Sequence, residues 1–314
     1  MKRITITGGS GFVGRLLRAG LSGRDYEVAV FDRFKGTRVD AIRQRPVGTL
    51  QGVAGRAAGT AARRVLSKAE TLLVAAGAIR PSADDVNGAR DRLVERFRGS
   101  DVVIHLAALP HASVPGMTDA DYWRINYEGS INVFEAAREA GVRRFVFASS
   151  CQAYDINNQR ARFEQFPVLE TNQLPALADG VNLYGFLKGE FERYARAHSV
   201  ASDMQTVALR LEFPGVLSRY AWNLYISCSI ENTVAGFKLA MERDVSTAFD
   251  VFNLADSEVR RDIVDIQEFL TRNWPHVPNR VTGNGCLLGI DKARALLGYE
   301  PRSHGTYYSL GVMW

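Results

Sequence analysis

Cysteine is scarce: Cys151, Cys228 and Cys286 are the only three in 314 residues, and no two stand in a CxxC spacing. That excludes a disulfide framework and gives no basis for a zinc centre, so no metal is expected and a reducing compartment is. Long apolar runs are missing too. No stretch of eighteen apolar residues occurs, and the opening MKRITITGG enters a strand pattern with no apolar leader. No membrane contact is expected, and the chain reads as cytoplasmic. Acidic residues are lacking locally: from Arg33 to Lys68 the only one is Asp40, which accounts for much of the net charge of +5 (39 basic, 34 acidic). Phe34 is the only aromatic there. A nucleic-acid interface would interleave charge with stacking rings, so a solvated surface segment, and no nucleic-acid partner, is expected. Within it, the Gly-, Ala- and Arg-rich stretch 48–64 reads as an insertion.

What is present is a regular alternation. Short apolar strands are predicted over 4–7, 26–32, 71–79, 101–106, 144–149 and 204–211, with helix-period segments over 12–21, 86–97 and 121–140 between them. Runs such as VVIHLAA suit strands covered by helices on both faces. The fold class that follows is α/β, a doubly wound parallel Rossmann sheet. Beyond residue 211 the alternation becomes irregular, and a smaller C-terminal lobe is expected. The division is 1–204 for the Rossmann domain, with later segments returning to it, and 205–314 for the substrate lobe.

The first strand runs into TGGSGFVG. Gly8, Gly11 and Gly14 stand where a tight turn, an approach to pyrophosphate and a close helix packing each require the absence of a side chain. Gly9, Gly11 and Gly14 satisfy GxGxxG equally well, so spacing alone does not name a subclass. The helix that follows aims its amino end at the anion. Asp32 closes the second strand eighteen residues past Gly14. A carboxylate there accepts the ribose hydroxyls and repels a 2′-phosphate, which favours NAD. Arg33 and Lys35 follow at once and suit such a phosphate, so NADP stays open as the less favoured cofactor.

LYGFLKGE places Tyr184 and Lys188 four apart, on one helix face, and Tyr184 is the only one of eleven tyrosines with lysine at that spacing. An ammonium there favours the phenolate. Bringing a tyrosine from about 10 toward neutrality takes about three units, which the lysine together with a cationic nicotinamide ring would supply, leaving the phenol a general base or acid.

Taken together, TGGSGFVG, Asp32, HLAA at 105–108, Asn126 ahead of Gly129, SSCQAY and YGFLK resemble the extended short-chain dehydrogenase/reductases, in their NAD-dependent epimerase/dehydratase branch. IDKARALLGYEP at 290–301 is similar to the usual ending of that branch, so the resemblance spans the chain. It implies that Tyr184 is the acid/base, that Lys188 orients the ribose and lowers the tyrosine pKa, and that Ser150 hydrogen-bonds the reacting oxygen. It also brings the amides of Phe12 and Val13 to the pyrophosphate, lines the cofactor with Leu106, Ala107 and Ala108, places Ala78 and Ile79 beside it, and makes Asn126 a support of the site. Ser150 taken alone reads as a strand-end hydroxyl capping a backbone group. A homodimer through the helices at 121–140 and 184–198 is implied, with a sugar or nucleotide sugar as substrate.

The sequence departs from the pattern in four places. Cys151 and Gln152 occupy the positions of the acidic pair that dehydratases use, so dehydration by that route is not expected. Ala78 replaces the aspartate that meets adenine. Phe213 replaces the asparagine of the RxxN that contacts substrate, and only about twenty residues separate Arg210 from the next helix at Glu231, as in uronate dehydrogenases. Two activities stand side by side: an epimerase acting by transient oxidation of a ring hydroxyl, and a net dehydrogenase of a sugar, uronic acid or related alcohol. His105 and His111 flank the cofactor strand, and packing, not catalysis, is expected of them.

Overall fold

In the strand KRITIT, Ile4 and Ile6 face one side of the pleat and Thr5 and Thr7 the other. The computed structural model describes residues 1–23, 25–32, 85–110, 114, 116–158, 162–178, 180–303 and 305–308. The strands are β1 (Lys2–Thr7), β2 (Tyr26–Phe31), β3 (Val102–His105), β4 (Arg144–Ala148), β5 (Gln205–Leu211) and β6 (Phe249–Leu254). All pairings are parallel, and the order among the described residues is β2-β1-β3-β4-β5-β6. The helices are α1 (Phe12–Gly20), α2 (Arg90–Phe97), α3 (Asp119–Tyr122), α4 (Gly129–Glu139), α5 (Leu183–Ser199), α6 (Ile230–Glu242), α7 (Ile266–Asn273) and α8 (Asp291–Leu297). None is long and apolar enough to cross a membrane.

Period-2 alternation divides the core between two layers. Ile4, Ile6, Val102, Ile104, Val146 and Leu209 pack with α1, α6 and α8. Val103, Phe145, Phe147 and Ala208 pack with α2, α4 and α5. Burying a side chain of this size contributes about 1.5–3 kcal/mol, and the two layers shield both faces as the doubly wound fold requires. A third cluster, including Tyr154, Phe166, Leu224, Ile226 and Leu288, gathers segments that follow β4, β5 and β6.

The structure sharpens the predicted elements. The strand predicted at 71–79 lies outside the described residues, as do Arg33, Lys35, Ala78, Ile79, His111 and the stretch 48–64. The helix expected from residue 86 starts at Arg90, because a turn closed by Gly88 N–H on the Asp85 carbonyl precedes it. The helix expected at 121–140 opens at a capping box between Thr118 and Asp121, and then takes a π-helical stretch over Trp123–Glu128. β6 was not foreseen. Its sequence FDVFNL carries Asp250 and Asn253, which break the apolar run yet are satisfied from elsewhere: Lys292 pairs with Asp250, and Asn253 Oδ1 accepts the Tyr154 hydroxyl at 2.8 Å. β5 and β6 both extend the same sheet beyond residue 204.

The chain winds from β1 outward to β2 and then returns to β3 on the other side of β1. In open α/β sheets, ligands bind outside the carboxyl ends of the strands at such a reversal.

Candidate active site at the carboxyl edge of the sheet

Register brings the separated motifs together. Thr7, His105, Phe147 and Ala208 are successive partners across β1, β3, β4 and β5, so the segments after these strands leave the sheet on one edge. With neighbouring strands about 4.8 Å apart, the turn after β1 and the segment after β4 lie about 10 Å apart.

The turn itself is built for close backbone approach. Gly8 has φ +69°, and a Cβ there would come within 2.7 Å of the Ala107 amide nitrogen. A Cβ on Gly14 would lie 2.6 Å from the Gly8 carbonyl oxygen and 2.6 Å from Gly9 Cα. α1 therefore seats directly on the turn. Its N-cap is Gly11, which provides no side-chain cap for the first amides, those of Phe12 and Val13 among them. Uncapped N–H groups and the positive end of the helix dipole form a cradle for an anion. Asp32, buried at the end of β2, accepts the Ser10 N–H at 3.0 Å and so holds the far side of the turn.

A buried chain of hydrogen bonds runs from the end of β1 through β3 to α4. The Ser130 hydroxyl donates to the Asn126 carbonyl at 2.6 Å, so its oxygen must accept from His105 Nε2 at 2.9 Å. Nδ1 then accepts the Thr7 hydroxyl at 2.7 Å. Burial pushes His105 down to about 3, with the Lys188 ammonium adding to the effect, so the imidazole stays neutral and its role is structural. The Asn126 side chain grips the loop after β3, accepting the Leu109 N–H at 2.7 Å and donating to the Leu109 carbonyl at 3.1 Å. That grip positions Leu106, Ala107 and Ala108 beside the glycine turn.

Tyr184, Lys188 and Ser150 meet across the β4–α5 connection. α5 is capped by Asn182, whose Oδ1 accepts the Gly185 N–H at 3.3 Å. A Cβ on Gly185 would stand 1.9 Å from the Gln152 carbonyl oxygen, so only glycine lets the helix rest on the turn Cys151–Tyr154. Lys188 Nζ donates to the Ala148 carbonyl at 2.7 Å and lies 5.8 Å from the Tyr184 ring centroid. The Ser150 hydroxyl accepts the Gln152 N–H at 3.1 Å, which is its capping role, and it also favours the ionised form of the Tyr184 phenol. Burial dominates the electrostatics of the pair. Burial pushes the Tyr184 phenol above its usual range, and the carboxylate of Glu212 adds to that. Burial also pulls the Lys188 ammonium down to about 8.

Sequence reasoning missed Glu212. It stands one step past β5 in RLEFPG, is 7% exposed, and accepts Gln152 Nε2 on Oε1 at 2.8 Å. Burial pushes its carboxyl up to about 7, against the opposing effect of Gln152 and Ser150, which favour the ionised form. The only available signal was an acid directly beyond the carboxyl end of an apolar strand. Also missed was a buried ion pair under the site: Arg210 Nε and Nη2 donate to Glu192 Oε1 and Oε2 at 2.9 and 2.5 Å, and the Ser149 hydroxyl donates to the same carboxylate. Past Glu212, Phe213 has φ +42° and its ring meets that of Trp222, which stacks on Tyr220 at 5.6 Å and 22°. Both outer rings are exposed.

The family model for the NAD-dependent epimerase/dehydratase family matches residues 4–274. L-arabinose 1-dehydrogenase (NAD(P)+) of Haloferax volcanii is 40% identical over 68 residues, 22% of this chain and 26% of the relative. UDP-glucose 4-epimerase 3 of Oryza sativa is 27% identical over 213 residues, 66% of this chain and 48% of the relative. The chain thus spans about half or less of the length of these curated relatives. Among solved structures, a short-chain dehydrogenase/reductase superfamily protein from Agrobacterium tumefaciens with bound NAD superposes with a TM-score of 0.62 at 21% identity, covering 99% of this chain and 94% of the other, a likeness of fold.

Proposed function

The chain belongs to the NAD-dependent epimerase/dehydratase family, and on that footing we propose that it epimerises a sugar or nucleotide sugar through transient NAD-dependent oxidation of a ring hydroxyl. The observation that carries this is the Lys188 ammonium 5.8 Å from the Tyr184 ring centroid, with Ser150 capping the turn on which their helix rests, on the sheet edge that also holds the glycine turn. The dinucleotide fits the residues present: Gly8, Gly11 and Gly14 leave the space, Phe12 and Val13 offer amides to the pyrophosphate, and Leu106 to Ala108 form the adjoining wall. Asp32 takes the adenosine ribose and selects NAD over NADP. The Agrobacterium neighbour, which holds NAD, supports that choice. Bound NAD supplies a hydride acceptor and a positive charge beside the phenol.

The chain's own residues handle the proton and the placement. Tyr184 removes the substrate hydroxyl proton and later returns it, Ser150 holds the reacting oxygen, and Lys188 sets the ribose and the field at the phenol. Asn126 keeps the loop after β3 in position. Cys151 and Gln152 provide no acid for expelling a hydroxyl, which disfavours dehydration. The part of the substrate remote from the reacting carbon lies against Tyr220 and Trp222. The protein works as a homodimer through α3, α4 and α5, in a reducing cytoplasm that suits its three free, buried thiols.

A second activity, net oxidation of a sugar or uronic acid, is favoured by the short connection over 212–229 and by the match to arabinose dehydrogenase. Incubation with NAD and a panel of sugars, uronic acids and nucleotide sugars separates the two. Inverted product without accumulating NADH supports epimerisation, and accumulating NADH over many turnovers replaces it with dehydrogenation. Tyr184→Phe should lower turnover by about 10²–10⁴-fold with the fold intact. Full activity in that variant would refute both.

A further inference from the structure

Residues 302–308, RSHGTYY, carry no apolar run that would bury them, yet hydrogen bonds fix this tail to the first turn of α6. Asn232 and Arg302 form a reciprocal pair, Asn232 Nδ2 donating to the Arg302 carbonyl at 2.8 Å and the Arg302 N–H to Asn232 Oδ1 at 2.9 Å. The Ile230 N–H donates to the Thr306 carbonyl at 3.0 Å, and Glu231 accepts the Thr306 N–H at 2.8 Å and the Thr306 hydroxyl at 2.6 Å. The Tyr307 hydroxyl donates at 2.5 Å to Asp256, a buried carboxylate that also accepts the Ser229 N–H at 2.8 Å and Asn232 Nδ2 at 2.6 Å.

At Tyr308 the tail reaches the cofactor turn. The Tyr308 N–H donates to the Gly215 carbonyl at 2.9 Å, and the Gly215 N–H donates to the Cys228 carbonyl at 2.6 Å, so the loop after β5 is held between the tail and the segment ahead of α6. Gly215 has φ +76°, and a Cβ there would stand 3.1 Å from Leu16 Cδ1 and 3.3 Å from Phe12 Cζ. The Tyr308 ring meets the Phe12 ring edge-on, with centroids 5.4 Å apart at 70°. Phe12 is the first residue of α1, and its amide is one of the uncapped N–H groups of the anion cradle. Three segments far apart in sequence thus converge on one end of α1: the glycine turn, the loop beyond Glu212 and the tail.

We propose that Tyr308 is a positioning residue of the dinucleotide site: through the Phe12 ring and the Gly215 loop, the anchored tail keeps the cradle at the end of α1 shut on a bound nicotinamide dinucleotide and slows its release. This deepens the dinucleotide-dependent reading above and rests on it. Between the two halves of an epimerisation, the ketose has to recover the electron pair it gave to the dinucleotide and the proton it gave to Tyr184. Escape of either partner at that point strands the other. A net dehydrogenase has the opposite need, since it must let the reduced dinucleotide go at every turn, so the grip of the tail bears directly on which of the two activities the site performs.

The test follows release of NADH from the full chain, by stopped-flow loss of its bound fluorescence against excess NAD and with no sugar present. Tyr308→Ala should release NADH about tenfold faster than wild type, the equivalent of about 1.4 kcal/mol, which is within the range of one edge-to-face ring pair. Tyr308→Phe keeps the ring and should release at the wild-type rate. Thr306→Val removes only the hydroxyl bond to Glu231 and should release about threefold faster; Thr306 is exposed, so this variant carries the test even if Tyr308→Ala is recovered unfolded. With a sugar that the wild type epimerises, Tyr308→Ala should leak free ketose and NADH that the wild type retains. Wild-type release rates in Tyr308→Ala and Thr306→Val overturn the inference and leave the proposed epimerisation standing. Release from Tyr308→Phe as fast as from Tyr308→Ala overturns the ring contact as its cause. If the wild type binds no NADH, the functional reading falls and takes the role of the tail with it.

Discussion

Between pH 7 and pH 5, His105 and Glu212 should drive the stability of the fold in opposite directions by nearly equal amounts. His105 is held down to about 3 against 6.5 in the unfolded chain. Between those values the unfolded state binds more protons, so stability is lost as pH falls through the window. Glu212 is held up to about 7 against 4.5. There the folded state binds more protons, so stability is lost as pH rises and regained on acidification. At about 1.4 kcal/mol per unit, acidification from 7 to 5 costs about 2 kcal/mol through His105 and returns about 2 kcal/mol through Glu212. In the wild type the two nearly cancel. Urea denaturation of wild type, Glu212→Gln and His105→Gln at pH 5, 6 and 7 exposes them, provided the m-values agree. Relative to wild type, Glu212→Gln should lose about 2 kcal/mol on acidification and His105→Gln should gain about as much. Every other titrating group is common to the three proteins and drops out of the differences. A variant whose pH dependence runs parallel to wild type would refute the burial argument for that residue.

Gly14→Ala sets a methyl group 2.6 Å from the Gly8 carbonyl oxygen and should destabilise by about 1–3 kcal/mol. Calorimetry with and without NAD checks it, and undiminished NAD affinity would remove the turn from the cofactor site. Trp222→Ala removes a stacked, exposed ring and should raise KM by about 10-fold with kcat unchanged; a fall in kcat alone would place the ring nearer the chemistry. Burial raises all three thiols, Cys228 and Cys286 to about 12. A chromogenic disulfide reagent at neutral pH should therefore label none in the native protein and three after unfolding.

What the sequence revealed were the features whose chemistry is local. The glycines of the first turn and the four-residue spacing of Tyr184 and Lys188 lie within single stretches of chain, where spacing is geometry. Ser150 was identified by the company it keeps, and the structure shows the role it has alone, a cap on the Gln152 N–H at 3.1 Å. Glu212 was invisible for the opposite reason. Its neighbours Gln152 and Ser150 are some sixty residues earlier in the chain, and only the parallel pairing of β4 with β5 brings them side by side. β6 escaped because its two polar residues find their partners on distant elements, Lys292 in α8 and Tyr154 after β4. Spacing also says nothing of desolvation, which raises the Tyr184 phenol and lowers the Lys188 ammonium.

The Arg210–Glu192 pair constrains how this protein can diverge. Both side chains are almost wholly inaccessible, at 4% and 6%. Replacing either one alone strands the other's charge in the interior, a loss of about 3–5 kcal/mol, which is a large share of the 5–15 kcal/mol or so that holds a typical domain folded. Drift at these two positions has to be concerted, through a joint exchange for a neutral, well-packed pair. α5 and β5, the strand that runs into Glu212, are thereby tied energetically, whereas the loop beyond Phe213 is free of that constraint.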